Sequence, residues 1–290
     1  MGGGSWTRDS FASYSTSVRG MKVSADGISI GSSSVQDNFK SRMLAKELDP
    51  KNVIRECVDS TEHPNTKPVI LALDVTGSMG NAAVEVAKQI NVVMTKLYEN
   101  VTDVEFLVMG IGDLAYDDAP IQASQFESDI RIAEQLDKVY FEGGGGGNAF
   151  ESYTAAWYFG LHHTKLDCWK RGQKGVIITM GDEPLNPYLP KDALARVTGD
   201  NLQGDVETAE LYKATAEKFD IYHLNVKHGG YDYYGADIHV SYGKYLDKDH
   251  FKDTTVNKIA NDIVEIVTNA FSNANVATNV AVSAGDGISW

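Results

Sequence analysis

Three polar residues at alternate positions, Asp74, Thr76 and Ser78, follow directly on an apolar run. A carboxylate and two hydroxyls so spaced converge if the chain turns as it leaves a strand. A second apolar run ends in Asp182 and Glu183, and between the two runs lie five consecutive glycines, residues 143–147, followed by Asn148. Asp74, Thr76, Ser78, Asn148 and Asp182 are all hard oxygen donors. Such a set suits Mg2+, Mn2+ or Ca2+ and not zinc or copper. With only two carboxylates among neutral neighbours, a divalent ion keeps enough positive charge to attract an acidic group from outside. Asp74 alone also fits a helix cap or an Asx-turn, positions that Asp, Ser and Thr favour in any case. The distant Asp182 is what turns the pattern towards a metal. The glycine run is not followed by Gly-Lys-Ser/Thr, so it is not a phosphate-binding loop of that kind. It reads instead as a loop whose backbone approaches something closely.

The elements that must position these residues are legible in the apolar periodicity. Residues 69–73 and 104–110 are continuous apolar runs, the pattern of strands covered on both faces. Between them, Val84, Ala87, Ile90, Val93, Met94 and Leu97 recur at helical spacing, which makes a βαβ unit. Ser124 and Glu127 have the spacing of a capping box for a helix through Ile130, Ala133 and Leu136. Residues 151–161 read as an aromatic helix and 175–181 as a third buried strand. A short helix is expected over 191–197 and a longer one over 206–219, with a strand over 220–226. The Tyr-, His- and Gly-rich stretch 227–249 reads as a surface loop with a strand at 238–242, and residues 256–271 as the last helix. Strands alternating with amphipathic helices imply an α/β, Rossmann-like, mostly parallel open sheet, doubly wound. Ligands in such sheets sit beyond the carboxyl ends of the strands, where the strand order reverses.

Residues 1–65 differ from the rest. They are rich in Ser and Gly, with a helical patch expected near 35–47 and isolated aromatics, Trp6, Phe11, Tyr14 and Phe39, able to pin an irregular arm onto a larger body. Residues 53–58 suit an edge strand or a helical turn. The division expected is an N-terminal extension over 1–65, one main domain over 66–272 and a small polar tail over 273–290.

The chain has 290 residues, 42% hydrophobic and 23% charged, enough for a buried core without disulfides. Its two cysteines, Cys57 and Cys168, match no zinc or disulfide framework and read as buried thiols. A net charge of −14 with no basic patch argues against nucleic acid. No apolar run is long enough to span a bilayer. The N-terminus has neither signal-peptide regions nor a myristoylation pattern, since position 6 is Trp. A cytoplasmic protein is expected, or a virion protein if phage-encoded.

The segment Asp74-Val75-Thr76-Gly77-Ser78 after a strand resembles the Asp-x-Ser/Thr-x-Ser signature of von Willebrand factor A (vWA) domains. Gly181-Asp182-Glu183-Pro184 resembles the acidic loop of the same family. The likeness runs over residues 68–271 and is nearest to phage or bacterial members. It implies a metal-ion-dependent adhesion site in which Thr76 and Ser78 ligate directly and Asp74 and Asp182 bind directly or through water. Where many members place a Thr, this chain offers Asn148, with Ser152 or Thr154 as alternatives.

Three functions follow as expectations. The first is a metal-dependent protein-binding module that takes a Glu or Asp of a partner, such as an AAA+ ATPase or a virion subunit. Its specificity would come from the loops at 113–120, 143–147 and 186–188. The second is a structural protein whose site is metal-free or locked by Glu183 or Glu151. The third, a metal-assisted phosphoester hydrolase, is disfavoured because no Lys or Arg lies in the ligand loops. The chain is accordingly read as a non-enzyme.

Overall fold

The computed structural model describes residues 4–24, 29–30, 41–99, 101–142, 150–228 and 235–283. In chain order the helices are α1 (Arg8–Tyr14), α2 (Gly80–Tyr98), α3 (Arg131–Leu136), α4 (Thr154–His162), α5 (Lys191–Thr198), α6 (Thr208–Ala216), α7 (Gly235–Tyr242) and α8 (Ile259–Ser283). The strands are β1 (Lys22–Val23), β2 (Ser29–Ile30), β3 (Arg55–Cys57), β4 (Lys67–Asp74), β5 (Val104–Ile111), β6 (Ile121–Ala123), β7 (Thr164–Leu166), β8 (Gly175–Gly181), β9 (Tyr188–Leu189), β10 (Val206–Glu207), β11 (Phe219–Lys227) and β12 (Phe251–Thr255).

Six strands form the central sheet in the order β12-β11-β8-β4-β5-β6. All neighbours are parallel except β6, which runs antiparallel to β5 at one edge. Along β4, alternate side chains enter opposite faces. Val69, Leu71 and Leu73 join a core with α2 and α8, while Ile70 and Ala72 join a second core with α4, α6 and α7. Burial on both faces is why β4, β5 and β8 are continuous apolar runs rather than alternating ones. Each fully buried Val, Leu or Ile contributes about 1.5–3 kcal/mol through area removed from water. The fold is therefore a Rossmann-like, doubly wound α/β sheet. The strand order reverses between β4 and β8, and β4 ends on Asp74 while β8 ends on Gly181.

Around this sheet several elements depart from the sequence expectation. Ser124 caps no helix. Its Oγ accepts from Val108 N at 2.8 Å and donates to Gln125 O, so it ends the short edge strand β6, and α3 starts only at Arg131. Residues 238–242 belong to helix α7 and not to a strand, because Ile238 and Tyr242, one helical turn apart, are the pair buried in the core. Strand β12 falls between the expected surface loop and last helix, where no element was expected, and α8 continues past residue 271 to Ser283. Segment 53–58 contributes β3, paired in parallel with β7 outside the main sheet.

The N-terminal aromatics do pin their segment. Trp6 and Phe11 are buried and stacked at 5.3 Å, Trp6 Nε1 donates to Thr95 Oγ1 at 3.1 Å, and Tyr14 OH donates to Asp137 Oδ2 at 2.9 Å. Of the expected helical patch, residues 41–48 hold only a short 3-10 turn, Lys46–Leu48; the rest of it, and Phe39, lie outside the described residues. Both cysteines are buried free thiols, as expected. The guanidinium of Arg55, itself buried, crosses to the edge of the main sheet, where Nη2 donates to Ala123 O at 2.8 Å and to Glu47 O at 2.7 Å. Among the described residues no helix is long and apolar enough to cross a membrane.

Candidate functional site

The site is assembled at the reversal of strand order. Asp74 is the last residue of β4 and fully buried. The chain turns immediately afterwards, and α2 begins at Gly80, a residue with φ +44°. That left-handed position suits Gly, which has no Cβ to clash. The turn brings the alternate side chains together as the spacing implied. Asp74 Oδ1 accepts from Thr76 N at 2.9 Å and from Thr76 Oγ1 at 2.6 Å, and Thr76 Oγ1 lies 3.2 Å from Ser78 Oγ. Ser78 Oγ donates to Asp182 Oδ1 at 2.9 Å, which joins the two strand ends across the switch point. Four of the five residues singled out from sequence, Asp74, Thr76, Ser78 and Asp182, therefore form one connected cluster. The fifth, Asn148, lies outside the described residues, as does the glycine run.

The two fallbacks for Asn148 are already engaged. Ser152 Oγ accepts from Leu114 N at 3.0 Å and so braces the loop after β5. Thr154 and Asn186 clamp each other: Thr154 N donates to Asn186 Oδ1 at 3.1 Å, and Asn186 Nδ2 donates to Thr154 Oγ1 at 2.6 Å.

Two participants were not found from the sequence. Tyr153, fully buried just before α4, donates its hydroxyl to Asp74 Oδ2 at 2.6 Å and accepts from Glu183 N at 3.3 Å. A Cβ on Gly181 would sit 2.0 Å from this hydroxyl, so the glycine ending β8 is the room Tyr153 occupies. His228, just past β11, places Nε2 2.8 Å from Asp182 Oδ2. The available signal was positional: His228 follows the strand adjacent to β8, and Tyr153 heads a helix leaving the same edge. Behind Tyr153 the ring of His223 stands edge-on at 5.3 Å and stacks on Tyr242 at 3.9 Å.

Electrostatically the cluster is short of positive charge. Burial, and then the neighbouring Asp182 charge, push the Asp74 carboxyl up to about 7. Burial followed by Asp182 and Asp74 does the same to Glu183, also to about 7. Glu151 is pushed up to about 10 by burial and by Asp74, Asp113, Asp117 and Glu183. One oxygen each of Glu151 and Glu183 is buried without a hydrogen-bond partner among the described residues. The basic group among the described residues that touches the cluster is His228, whose own pKa is raised by its bond to Asp182.

These observations fit a hard divalent cation: oxygen donors, buried carboxylates that repel one another, and orphaned carboxylate oxygens. Among the described residues no group of three or more His, Cys, Asp or Glu is placed to hold a metal. An ion here would thus rely on hydroxyls beside the carboxylates of Asp74 and Asp182, and the Asp74–Ser78 turn supplies two such hydroxyls.

No protein-family description matches the sequence, and no curated protein matches it. Similar shapes occur among solved structures. The open conformation of the pilus adhesin SpaC from Lactobacillus rhamnosus GG is 13% identical over 75% of this chain and 31% of its own, with a TM-score of 0.49. The vWF domain of the type V pili tip protein Mfa5 from Porphyromonas gingivalis is 11% identical over 78% of this chain and 98% of its own, with a TM-score of 0.39. Proximal thread matrix protein 1 from the mussel byssus is 11% identical over 70% of this chain and 47% of its own, with a TM-score of 0.42. The chain matches about a third of the length of the pilus adhesin and under half of the byssus protein.

Proposed function

We propose that this chain is a vWA-type interaction module that binds a protein partner through a divalent cation, Mg2+ or one of its hard relatives Mn2+ and Ca2+. The observation that carries this reading is the hydrogen-bonded run Asp74–Thr76–Ser78–Asp182 across the point where the strand order reverses. Thr76, Ser78, Asp74 and Asp182 would hold the ion, with Asn148 as a further donor. The ion would supply Lewis acidity and one open coordination position for a Glu or Asp of the partner. The chain's own residues do the rest. Thr76 and Ser78 contribute neutral oxygens that leave the ion electron-poor. The buried floor of Tyr153, His223 and Tyr242 keeps water from beneath Asp74. The loops carrying exposed Tyr116 and Tyr188 leave the same edge of the sheet and are suited to select the partner. An AAA+ ATPase and a virion subunit are the partner classes to test first.

The absence of Lys and Arg from the loops at 74–81, 112–120, 142–153 and 181–190 favours binding over phosphoester chemistry. The second reading is a structural protein with a closed, metal-free site, and the His228–Asp182 pair is the observation that favours it. Thermal unfolding with and without Mg2+ separates the two. At a hundredfold excess over its dissociation constant a bound ion adds about 2.7 kcal/mol. That gain is expected in the wild type and absent in Asp74→Ala. Partner capture that persists unchanged in chelator would sink the metal-dependent reading.

A further inference from the structure

The two carboxylates of the site are treated alike by the rest of the molecule. Each turns one oxygen inward to a motif hydroxyl, Asp74 Oδ1 to Thr76 and Asp182 Oδ1 to Ser78. Each turns its other oxygen outward to a donor that belongs to neither loop, Asp74 Oδ2 to Tyr153 OH at 2.6 Å and Asp182 Oδ2 to His228 Nε2 at 2.8 Å. A carboxylate held at its outer oxygen has lost its freedom to rotate about χ2. Its inner oxygen is then aimed without an entropic cost at the moment a ligand arrives.

We propose that Tyr153 and His228 are positioning residues that aim the inner oxygens of Asp74 and Asp182 at one cation. This rests on the divalent-cation reading above and names the parts that tune it.

Tyr153 is built for this. It is fully buried, so its hydroxyl has no water to turn to and donates to Asp74 Oδ2. The same oxygen accepts from Glu183 N at 3.3 Å, so one hydroxyl ties the end of β4 to the turn after β8. Gly181 is the complementary concession, since any larger residue would occupy the hydroxyl's place. His228 reaches Asp182 from the strand on the far side of β8, with its side chain 26% exposed. Carboxylates that ligate metals are held by such outer partners, and losing one typically costs 10- to 100-fold in affinity.

The test is equilibrium binding of Mn2+ alone, by calorimetry, to the full chain. Tyr153→Phe and His228→Leu should each weaken binding about 10- to 100-fold. His228→Gln keeps an N–H donor and should recover most of the loss, which a merely structural role would not produce. His228 is partly exposed, so its variants fold whatever becomes of Tyr153→Phe. If His228→Leu binds Mn2+ as the wild type does while Asp74→Ala does not bind, the positioning role is wrong and the cation reading stands. If His228→Gln is as weak as His228→Leu, the hydrogen bond is not the agent and the proposal falls. If the wild type itself binds no Mn2+, the cation reading fails and takes this inference with it.

Discussion

Two acidic loops leave the same edge of the sheet and use their carboxylates in opposite ways. After β5, Asp113 and Asp117 are buried, and one oxygen of each is engaged by the loop's own backbone, while Asp113 Oδ2 has no hydrogen-bond partner among the described residues. Asp113 Oδ1 accepts from Ala115 N and Asp117 Oδ2 from Asp113 N, both at 2.7 Å. Glu142 likewise accepts from Asp118 N and Ala119 N. Of the three aspartates in this turn only Asp118 faces water. After β4 and β8, Asp74 and Asp182 take side-chain hydroxyl and imidazole partners, Asp74 with one backbone N–H from Thr76 besides and Asp182 with none among the described residues. Acid count is therefore a poor guide to a cation site. What distinguishes Asp74 and Asp182 is that motif hydroxyls link them across two strand ends.

The sharpest way to break this contrast is to press on the glycine beneath each loop. Gly181→Ala would drive a Cβ to 2.0 Å from the hydroxyl of a fully buried Tyr153, and should cost about 3 kcal/mol in denaturant unfolding. Gly112→Ala meets Asp117 Oδ2 at 2.3 Å, the end of a side chain able to swing away, and should cost about 1–2 kcal/mol. Equal losses would mean the two loops are equally rigid. A smaller effect separates charge from scaffold. Asp117→Ala should lose about 1–2 kcal/mol by orphaning Asp113 N yet keep the full Mg2+ gain in melting temperature. Asp182→Ala should do the reverse, losing the Mg2+ gain at little cost to the metal-free protein.

The last effect is read from pH and concerns the floor. Burial lowers the His223 imidazole from its ordinary value of 6.5 to about 3, against a weaker upward pull from Asp253. The unfolded chain then binds the proton first. Stability owed to neutral His223 is complete above pH 6.5 and declines towards pH 3, by about 1.4 kcal/mol per pH unit. The difference in stability between wild type and His223→Gln should shrink over that window. A constant difference would show that the ring is not held neutral.

The readable part of this molecule was the part buried on two faces. Continuous apolar runs at β4 and β8 announce strands, and a carboxylate at the end of each announces a site. Edges were less legible. Strand β6 has three residues, too few for periodicity, and β12 (Phe-Lys-Asp-Thr-Thr) has a single buried side chain, Thr254. In α7, Ile238 and Val240 imitate strand alternation, although Val240 is exposed and the buried partner of Ile238 is Tyr242. Of the site, the residues within the two turns were visible because local spacing encodes them. Tyr153 and His228 were not, because their roles depend on which strands lie next to one another, and strand order is not written in any local pattern.

Arg55 has a consequence beyond holding β3 in place. An edge strand with unpaired carbonyls invites a foreign strand to add to the sheet. By engaging Ala123 O and Glu47 O together, the guanidinium occupies the outer side of β6, where such a strand would dock. The sheet is thereby closed to growth on that flank.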